Sequence, residues 1–136
     1  MNAVPDPSAS RILLVDDVEA LLAVTEQYLR RLGYSTLACR TAGGAWAAFQ
    51  ADPLSFRLVL TDITLPEMPG TELVLRMLDL NPRVAVLICS GYPFDPASLP
   101  ARYQPQIGFL QKPFTPRMLA EAVERALAPD AGAPPR

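Results

Sequence analysis

The chain has 136 residues, half of them hydrophobic and 19% charged, which is enough for one domain with a sizeable buried core. The net charge of −2 and the scattered basic residues argue against binding to a phosphate backbone, and no apolar run could span a bilayer, so we expect no direct contact with nucleic acid or membrane. The absence of histidine excludes a histidine kinase, a histidine phosphotransfer protein and a His-based catalytic triad.

The two ends of the chain differ in composition from the rest. Residues 1–10 and 129–136 are rich in Pro, Ala, Ser and Gly, and we predict that both are disordered around one domain at residues 11–128. Residues 1–10 also lack the basic start and apolar core of a secretory signal, which favours a soluble, cytoplasmic protein.

The first half of the domain alternates strand and helix signals. The continuous apolar run at residues 12–15 is typical of a strand that is covered on both faces. Apolar residues then recur every three or four positions over residues 18–32, which predicts a helix, and Gly33 suits a left-handed cap at its end. The next elements predicted are a strand at residues 34–39, a short helix at residues 42–51 and a strand at residues 58–60.

The second half continues the alternation. A helical face around residues 73–78 ends at Asn81-Pro82, since proline disfavours a helical conformation in the residue before it. Thr115-Pro116 provides an N-cap and a first-turn proline for the last helix, whose buried stripe reaches Leu127. Two apolar runs between these helices are predicted as the fourth and fifth strands, at residues 84–89 and 107–110.

Residues 92–106, between the fourth and fifth strands, contain four prolines. Because an interior proline costs a helix about 3 kcal/mol or more, we expect the fourth helix to be short or irregular, near residues 96–103 and broken at Pro100. The alternation as a whole predicts an α/β fold with a parallel sheet and helices on both faces.

Acidic residues follow two of the predicted strands. Asp16 and Asp17 follow the first strand and Asp62 follows the third, at the carboxyl ends where doubly wound sheets bind their ligands. Two carboxylates about 5 Å apart repel by about 3 kcal/mol at an effective dielectric constant near 20, so a cluster of three needs a cation. Oxygen ligands without His or Cys suit Mg²⁺.

Ser90 and Lys112 directly follow the fourth and fifth strands, and they would complete a phosphoryl site. A cation, an ammonium group and a hydroxyl can stabilise the oxygens of a transferring phosphoryl group from different sides, with Asp62 as the nucleophile. Simpler roles are also open. Asp17 and Ser90 could cap helices, and Lys112 could be a solvated lysine at the end of a strand. Asp62 could form a turn.

The ordered set of motifs resembles the receiver domains of bacterial response regulators. Four motifs carry the resemblance, each after its own strand: Leu14-Val15-Asp16-Asp17, residues 60–70 (LTDITLPEMPG), Cys89-Ser90-Gly91-Tyr92 and Phe109-Leu110-Gln111-Lys112-Pro113-Phe114. The resemblance covers residues 11–128. It implies a doubly wound, flavodoxin-like, five-stranded parallel sheet with strand order 2-1-3-4-5.

The resemblance also implies a set of roles. Asp62 would be the phosphoaspartate of a two-component phosphorelay, with a sensor histidine kinase or a histidine phosphotransfer protein as the donor. Ser90 and Lys112 would contact the phosphoryl oxygens, and the Lys112–Pro113 peptide would be cis. The ligands of Mg²⁺ would be three carboxylates and one backbone carbonyl: those of Asp16, Asp17, Asp62 and Thr64.

Phe109 holds the place of the aromatic switch residue in such domains, although a plain core phenylalanine is the simpler role. A receiver is not an enzyme acting on a separate substrate; it assists its own phosphorylation and dephosphorylation to switch partner interactions. A dimer that forms on phosphorylation is left open. The helix usually found at residues 92–106 is replaced here, which puts coupling through that face in doubt.

Other classes of protein are compatible with parts of the pattern. The motifs at Ser90 and Lys112 resemble those of receivers at the C-terminus of hybrid sensor kinases, so either such a module or a stand-alone receiver is expected. A pseudo-receiver would use the same fold only for protein binding. An aspartate-nucleophile phosphatase generally carries an acidic residue where Thr64 stands. A flavin-binding domain is disfavoured because acidic strand ends repel phosphate.

Overall fold

The structure is a computed structural model that describes residues 11–128. The predicted disorder of residues 1–10 and 129–136 lies outside this range. The strands are β1 (Arg11–Val15), β2 (Ser35–Cys39), β3 (Phe56–Asp62), β4 (Ala85–Ser90) and β5 (Ile107–Gln111). The α-helices are α1 (Glu19–Arg31), α2 (Ala42–Ala51), α3 (Gly70–Leu80) and α4 (Pro116–Leu127). No helix in the described range has both the length and the apolar character needed to cross a membrane.

The five strands form one parallel sheet in the order β2-β1-β3-β4-β5, which confirms the predicted topology. Val15 of β1 pairs with Thr61 of β3, and Ser90 of β4 pairs with Gln111 of β5. Because all strands run in the same direction, their carboxyl ends lie along one edge. We call it the C-terminal edge.

Helices cover both faces of the sheet, as predicted. Along β1, Ile12 and Leu14 pack into one cluster while Leu13 and Val15 pack into the other, which explains the continuous apolar run. Buried helix residues of α1 and α4 complete the first cluster: Leu22, Leu29, Leu119 and Val123. Those of α2 and α3 complete the second: Ala42, Ala45, Phe49, Leu73, Val74, Met77 and Leu78.

The helix ends agree with the local signals except at the start of α1. Gly33 has a φ of 96° just after α1, and the Thr115 hydroxyl accepts a hydrogen bond from Met118 N at the start of α4. The N-cap of α1 is Val18, which makes no side-chain capping bond. The interpretation of Asp17 as a helix cap is therefore wrong.

The connection from β4 to β5 contains no α-helix. It forms two 3₁₀ turns, Pro96–Ser98 and Gln104–Gln106. This confirms the prediction that the helix between the fourth and fifth strands would be irregular, but the helix predicted near residues 96–103 is not formed. Prolines remove the backbone donors that an α-helix would need. Tertiary contacts hold the segment instead: Leu99 and Tyr103 are buried, and the Tyr103 hydroxyl donates to Asp79 Oδ1 at 3.0 Å.

Candidate functional site

Backbone hydrogen bonds continue past the strand ends and fix the residues of the C-terminal edge. Asp16 N donates to Cys39 O at 3.2 Å, and Ile63 N donates to Cys89 O at 3.0 Å. Lys112 N donates to Ser90 O at 2.8 Å. The sheet thus places the residues at the ends of β1, β3, β4 and β5 along one edge, although they are far apart in the sequence.

Three carboxylates meet at this edge. One oxygen from each of Asp16, Asp17 and Asp62 lies within 4.8 Å of the other two. The Lys112 ammonium group lies 3.1 Å from Asp16 Oδ2 and 3.0 Å from Asp62 Oδ2. Only 19% of the Lys112 side chain is exposed, and 14% of each of these two aspartate side chains. Lys112 is therefore not a solvated lysine.

In both Asp16 and Asp62, Oδ1 accepts a hydrogen bond from a backbone amide and Oδ2 accepts one from Lys112. Asp16 Oδ1 accepts from Val18 N at 2.9 Å, and Asp62 Oδ1 accepts from Thr64 N at 3.2 Å. The turn-forming role considered for Asp62 is thus present, and it leaves Oδ2 facing Lys112. These local bonds orient both carboxylates toward a common point.

Ser90 is the last residue of β4 rather than the residue after it, and only 2% of its surface is exposed. Its hydroxyl accepts a hydrogen bond from Tyr92 N at 3.0 Å, which closes a turn. The next helical element is the separate 3₁₀ turn Pro96–Ser98, so a helix-capping role for Ser90 is wrong. Within residues 11–128, this hydroxyl makes no hydrogen bond to Asp62 or Lys112. The Lys112–Pro113 peptide is cis, as the resemblance implies.

Phe109 is half-buried on β5, opposite Ile88. Its ring stacks on that of Phe94, with centroids 6.1 Å apart and planes inclined by 29°. Phe109 also packs against the hydrophobic core that contains Ile88, so the core role considered for it is present, and its role as a switch residue stays a prediction.

Two residues near the site were not singled out by the sequence. An added Cβ at Gly70, the first residue of α3, would lie 2.2 Å from the Asp62 carbonyl oxygen, so only glycine fits there. Glu67 is exposed and accepts a hydrogen bond from Ala42 N at 2.9 Å. Gly70 was visible as the last residue of the motif at residues 60–70, whereas the Glu67 contact joins positions 25 residues apart, which no local pattern indicates.

The chemistry of the cluster fits a hard divalent cation. Its donors are carboxylate oxygens, and their mutual repulsion is relieved in this structure only in part, by one ammonium group. A cation among them and a nucleophilic carboxylate beside Lys112 are the parts that phosphoryl transfer requires.

Comparisons with known proteins give a consistent result. A family model described as "Response regulator receiver domain" matches residues 12–124. The transcriptional regulator NtrC of Azospirillum brasilense is 31% identical over 123 residues, which are 88% of this chain but only 24% of NtrC. The chain therefore spans about a quarter of that relative.

Two solved structures show the same fold. A CheY-like response regulator receiver domain protein from Methanospirillum hungatei is 35% identical, with a TM-score of 0.77 over 87% of this chain and 93% of that one. The receiver domain of the hybrid histidine kinase CckA is 26% identical, with a TM-score of 0.75 over 87% of this chain and 99% of that one. Both a receiver protein and a hybrid-kinase receiver are thus similar to this chain.

Proposed function

This chain belongs to the response regulator receiver family, and we propose that it accepts a phosphoryl group on Asp62 in the presence of Mg²⁺ and thereby switches its interactions with other proteins. One observation carries the proposal. Carboxylates of Asp16, Asp17 and Asp62 converge within 4.8 Å while Lys112 Nζ lies 3.0 Å from Asp62. As a receiver, the chain is a signalling module of a two-component system, either alone or as part of a hybrid kinase.

The residues that would hold Mg²⁺ are those at the C-terminal edge. Asp16, Asp17 and Asp62 supply three carboxylates, and the backbone carbonyl of Thr64 is the fourth ligand that we assign. When bound, the ion supplies positive charge close to the peripheral phosphoryl oxygens. Asp17 is exposed, so the cluster opens toward solvent on the side from which a donor can approach.

Asp62 would act as the nucleophile. One of its carboxylate oxygens attacks the phosphorus of a phosphohistidine, an O–P bond forms, and the N–P bond breaks with its electron pair returning to the donor's imidazole. A carboxylate needs no base to remove a proton, which agrees with a site that contains no histidine. The Lys112 ammonium and the Ser90 hydroxyl would then donate hydrogen bonds to phosphoryl oxygens.

The donor would be a sensor histidine kinase or a histidine phosphotransfer protein. Its phosphohistidine has to reach Asp62, so its docking surface must border the C-terminal edge. The first turns of α1 and α4 begin at this edge and expose apolar side chains: 45% of Val18, 46% of Leu21 and 44% of Met118. Exposed apolar side chains at the edge that carries the acidic cluster suit contact with a protein donor.

The proposal is tested by incubating the protein with acetyl phosphate and Mg²⁺ and recording its mass. We expect a gain of one phosphoryl group that hydroxylamine removes, and no such gain in Asp62→Asn, which keeps the shape of the side chain. If the parent protein gains nothing while it is folded, the pseudo-receiver alternative takes the place of the proposal. A hydroxylamine-labile group in Asp62→Asn would place the acceptor at another residue.

A further inference from the structure

Two contacts connect the start of the β4–β5 connection to the candidate site. Tyr92 N donates to the Ser90 hydroxyl at 3.0 Å, and the Phe94 ring stacks on Phe109 at 6.1 Å. Ser90 and Phe94 are only four residues apart, so the hydroxyl at the site and the ring on Phe109 belong to one short stretch of backbone. Gly91 lies within this stretch, and the space where its Cβ would be is open.

The later part of the same connection is anchored separately. Leu99 and Tyr103 are buried in the core, and the Gln106 side chain donates to Val84 O at 3.0 Å. Asp95 closes its own turn by accepting from Ala97 N at 2.9 Å. Phe94 is partly buried against the same core cluster, so a shift of residues 91–94 changes the contacts of Phe94 with the core while those of Leu99 and Tyr103 stay in place.

We infer that Phe94 is a positioning residue for Phe109, which it holds in the half-buried position of this structure as long as Asp62 is not phosphorylated. The inference rests on the proposed function, because Ser90 acquires a new hydrogen-bond partner only when a phosphoryl group is present. When the Ser90 hydroxyl turns to that group, Tyr92 N–H must follow the oxygen or lose its acceptor. If the amide keeps this bond as the oxygen moves, the backbone of residues 91–94 moves with it and Phe94 leaves its place against Phe109.

The stacked pair has the strength that such a role needs. An aromatic pair of this geometry changes a two-state equilibrium by a factor of about two to ten. A ring that stabilised the phosphorylated and unphosphorylated states equally would not change the equilibrium between them. A ring that stabilises only the unphosphorylated state lowers the equilibrium constant for phosphorylation by that factor. Because coupling between binding and conformation is reciprocal, the effect is measurable at the site itself.

The experiment measures how tightly the protein binds beryllofluoride, a non-covalent phosphoryl mimic, by calorimetry in the presence of Mg²⁺. Phe94→Ala is expected to tighten binding about two- to tenfold. Phe94→Tyr keeps the ring and should restore the parent affinity. Tyr92→Ala is the matched control, since it removes a neighbouring ring that is 75% exposed and keeps the backbone amide.

A double-mutant cycle identifies the partner of Phe94. In a Phe109→Leu background, Phe94→Ala should have no further effect on affinity, because the stacking is already lost. If Phe94→Ala is not folded, Phe94→Leu takes its place with the same expectation. If Phe94→Ala binds beryllofluoride as tightly as the parent or more weakly, the inference is overturned. It is also overturned if Phe94→Ala tightens binding as much in the Phe109→Leu background as in the parent. A parent protein that is folded but binds no beryllofluoride would instead overturn the proposed function.

Discussion

The ammonium group of Lys112 lies about equally far from Asp16 and Asp62, at 3.1 and 3.0 Å, with 19% of its side chain exposed. Partial burial lowers the pKa of Lys112, but its hydrogen bonds and Coulomb attraction to Asp62 and Asp16 outweigh burial, so the pKa is raised overall from 10.5. A raised pKa adds stability that is fully present below pH 10.5 and is lost as the pH rises through the folded-state value. At neutral pH, Lys112 is therefore a cation between the carboxylates of Asp16 and Asp62.

Removing this charge tests its role. Lys112→Met keeps most of the side chain's length and is expected to lower the free energy of unfolding without divalent ions by about 1–3 kcal/mol, because two partly buried carboxylates lose their partner. Mg²⁺ should stabilise the variant more than it stabilises the parent. Urea denaturation with and without Mg²⁺ measures both effects.

Arg117→Met is the control for Lys112→Met. Arg117 is 89% exposed and pairs with Glu121 within α4, so its loss should change stability by no more than about 0.5 kcal/mol. An equal response of the parent and Lys112→Met to Mg²⁺ would remove Lys112 from the charge balance of the site.

At the scale of elements, the sequence predicted structure where the signal is local. The φ of 96° at Gly33 and the cap at Thr115 depend on neighbouring residues, and the predicted bounds of α2 agree with the structure. The β4–β5 connection depends instead on bonds such as that from Tyr103 to Asp79, 24 residues away. No local pattern indicates a contact of that kind, so only the absence of a regular helix could be predicted there.

Gly70, the first residue of α3, packs against the backbone of Asp62 at the candidate site. Gly70→Ala would place a Cβ 2.2 Å from the Asp62 carbonyl oxygen and 2.9 Å from the Ile63 Cα, and neither backbone atom can move without displacing the loop. We expect a loss of about 3 kcal/mol or more in the free energy of unfolding, with loss of phosphorylation in the protein that remains folded. Urea denaturation and the acetyl phosphate assay check the two parts.

Gly43→Ala is the matched substitution. Gly43 is exposed in α2, and an added Cβ there meets no atom within 4 Å. Alanine should therefore raise stability by about 0.5–1 kcal/mol through helix propensity alone. Equal effects of the two substitutions would contradict the close contact between Gly70 and Asp62.

At the scale of the whole molecule, strand order decides which side chains meet. Parallel strands with β1 beside β3 bring Asp16 and Asp62 together, and this convergence was predictable from the acidic residues at two strand ends. The ion pairs of Lys112 with both Asp16 and Asp62 were not predictable in the same way, because a lysine after a strand is usually solvated. The turn between Ser90 and Tyr92 was also missed, since the sequence does not show which acceptor a loop amide finds.

Binding of Mg²⁺ should stabilise the entire fold, since the carboxylates are assembled only in the folded protein. At ten times its Kd, the ion is expected to add about 1.4 kcal/mol to the free energy of unfolding. Thermal unfolding across a Mg²⁺ titration measures this gain. Asp17→Asn is the control, because Asp17 is exposed and its side chain makes no hydrogen bond within residues 11–128, so the variant should fold normally and respond less. A melting temperature that is indifferent to millimolar Mg²⁺ in the parent would contradict the metal site.

Lys112 contacts aspartates that precede it by 50 and 96 positions, and it follows the last strand of the sheet. During translation, Asp16 and Asp62 leave the ribosome well before their ammonium partner is made. A nascent chain that has not yet added β5 therefore carries Asp16 and Asp62 without the lysine beside them. If Asp62 is the phosphoryl acceptor, as we propose, the complete site forms only when β5 has joined β4, and we expect an unfinished chain to accept no phosphoryl group.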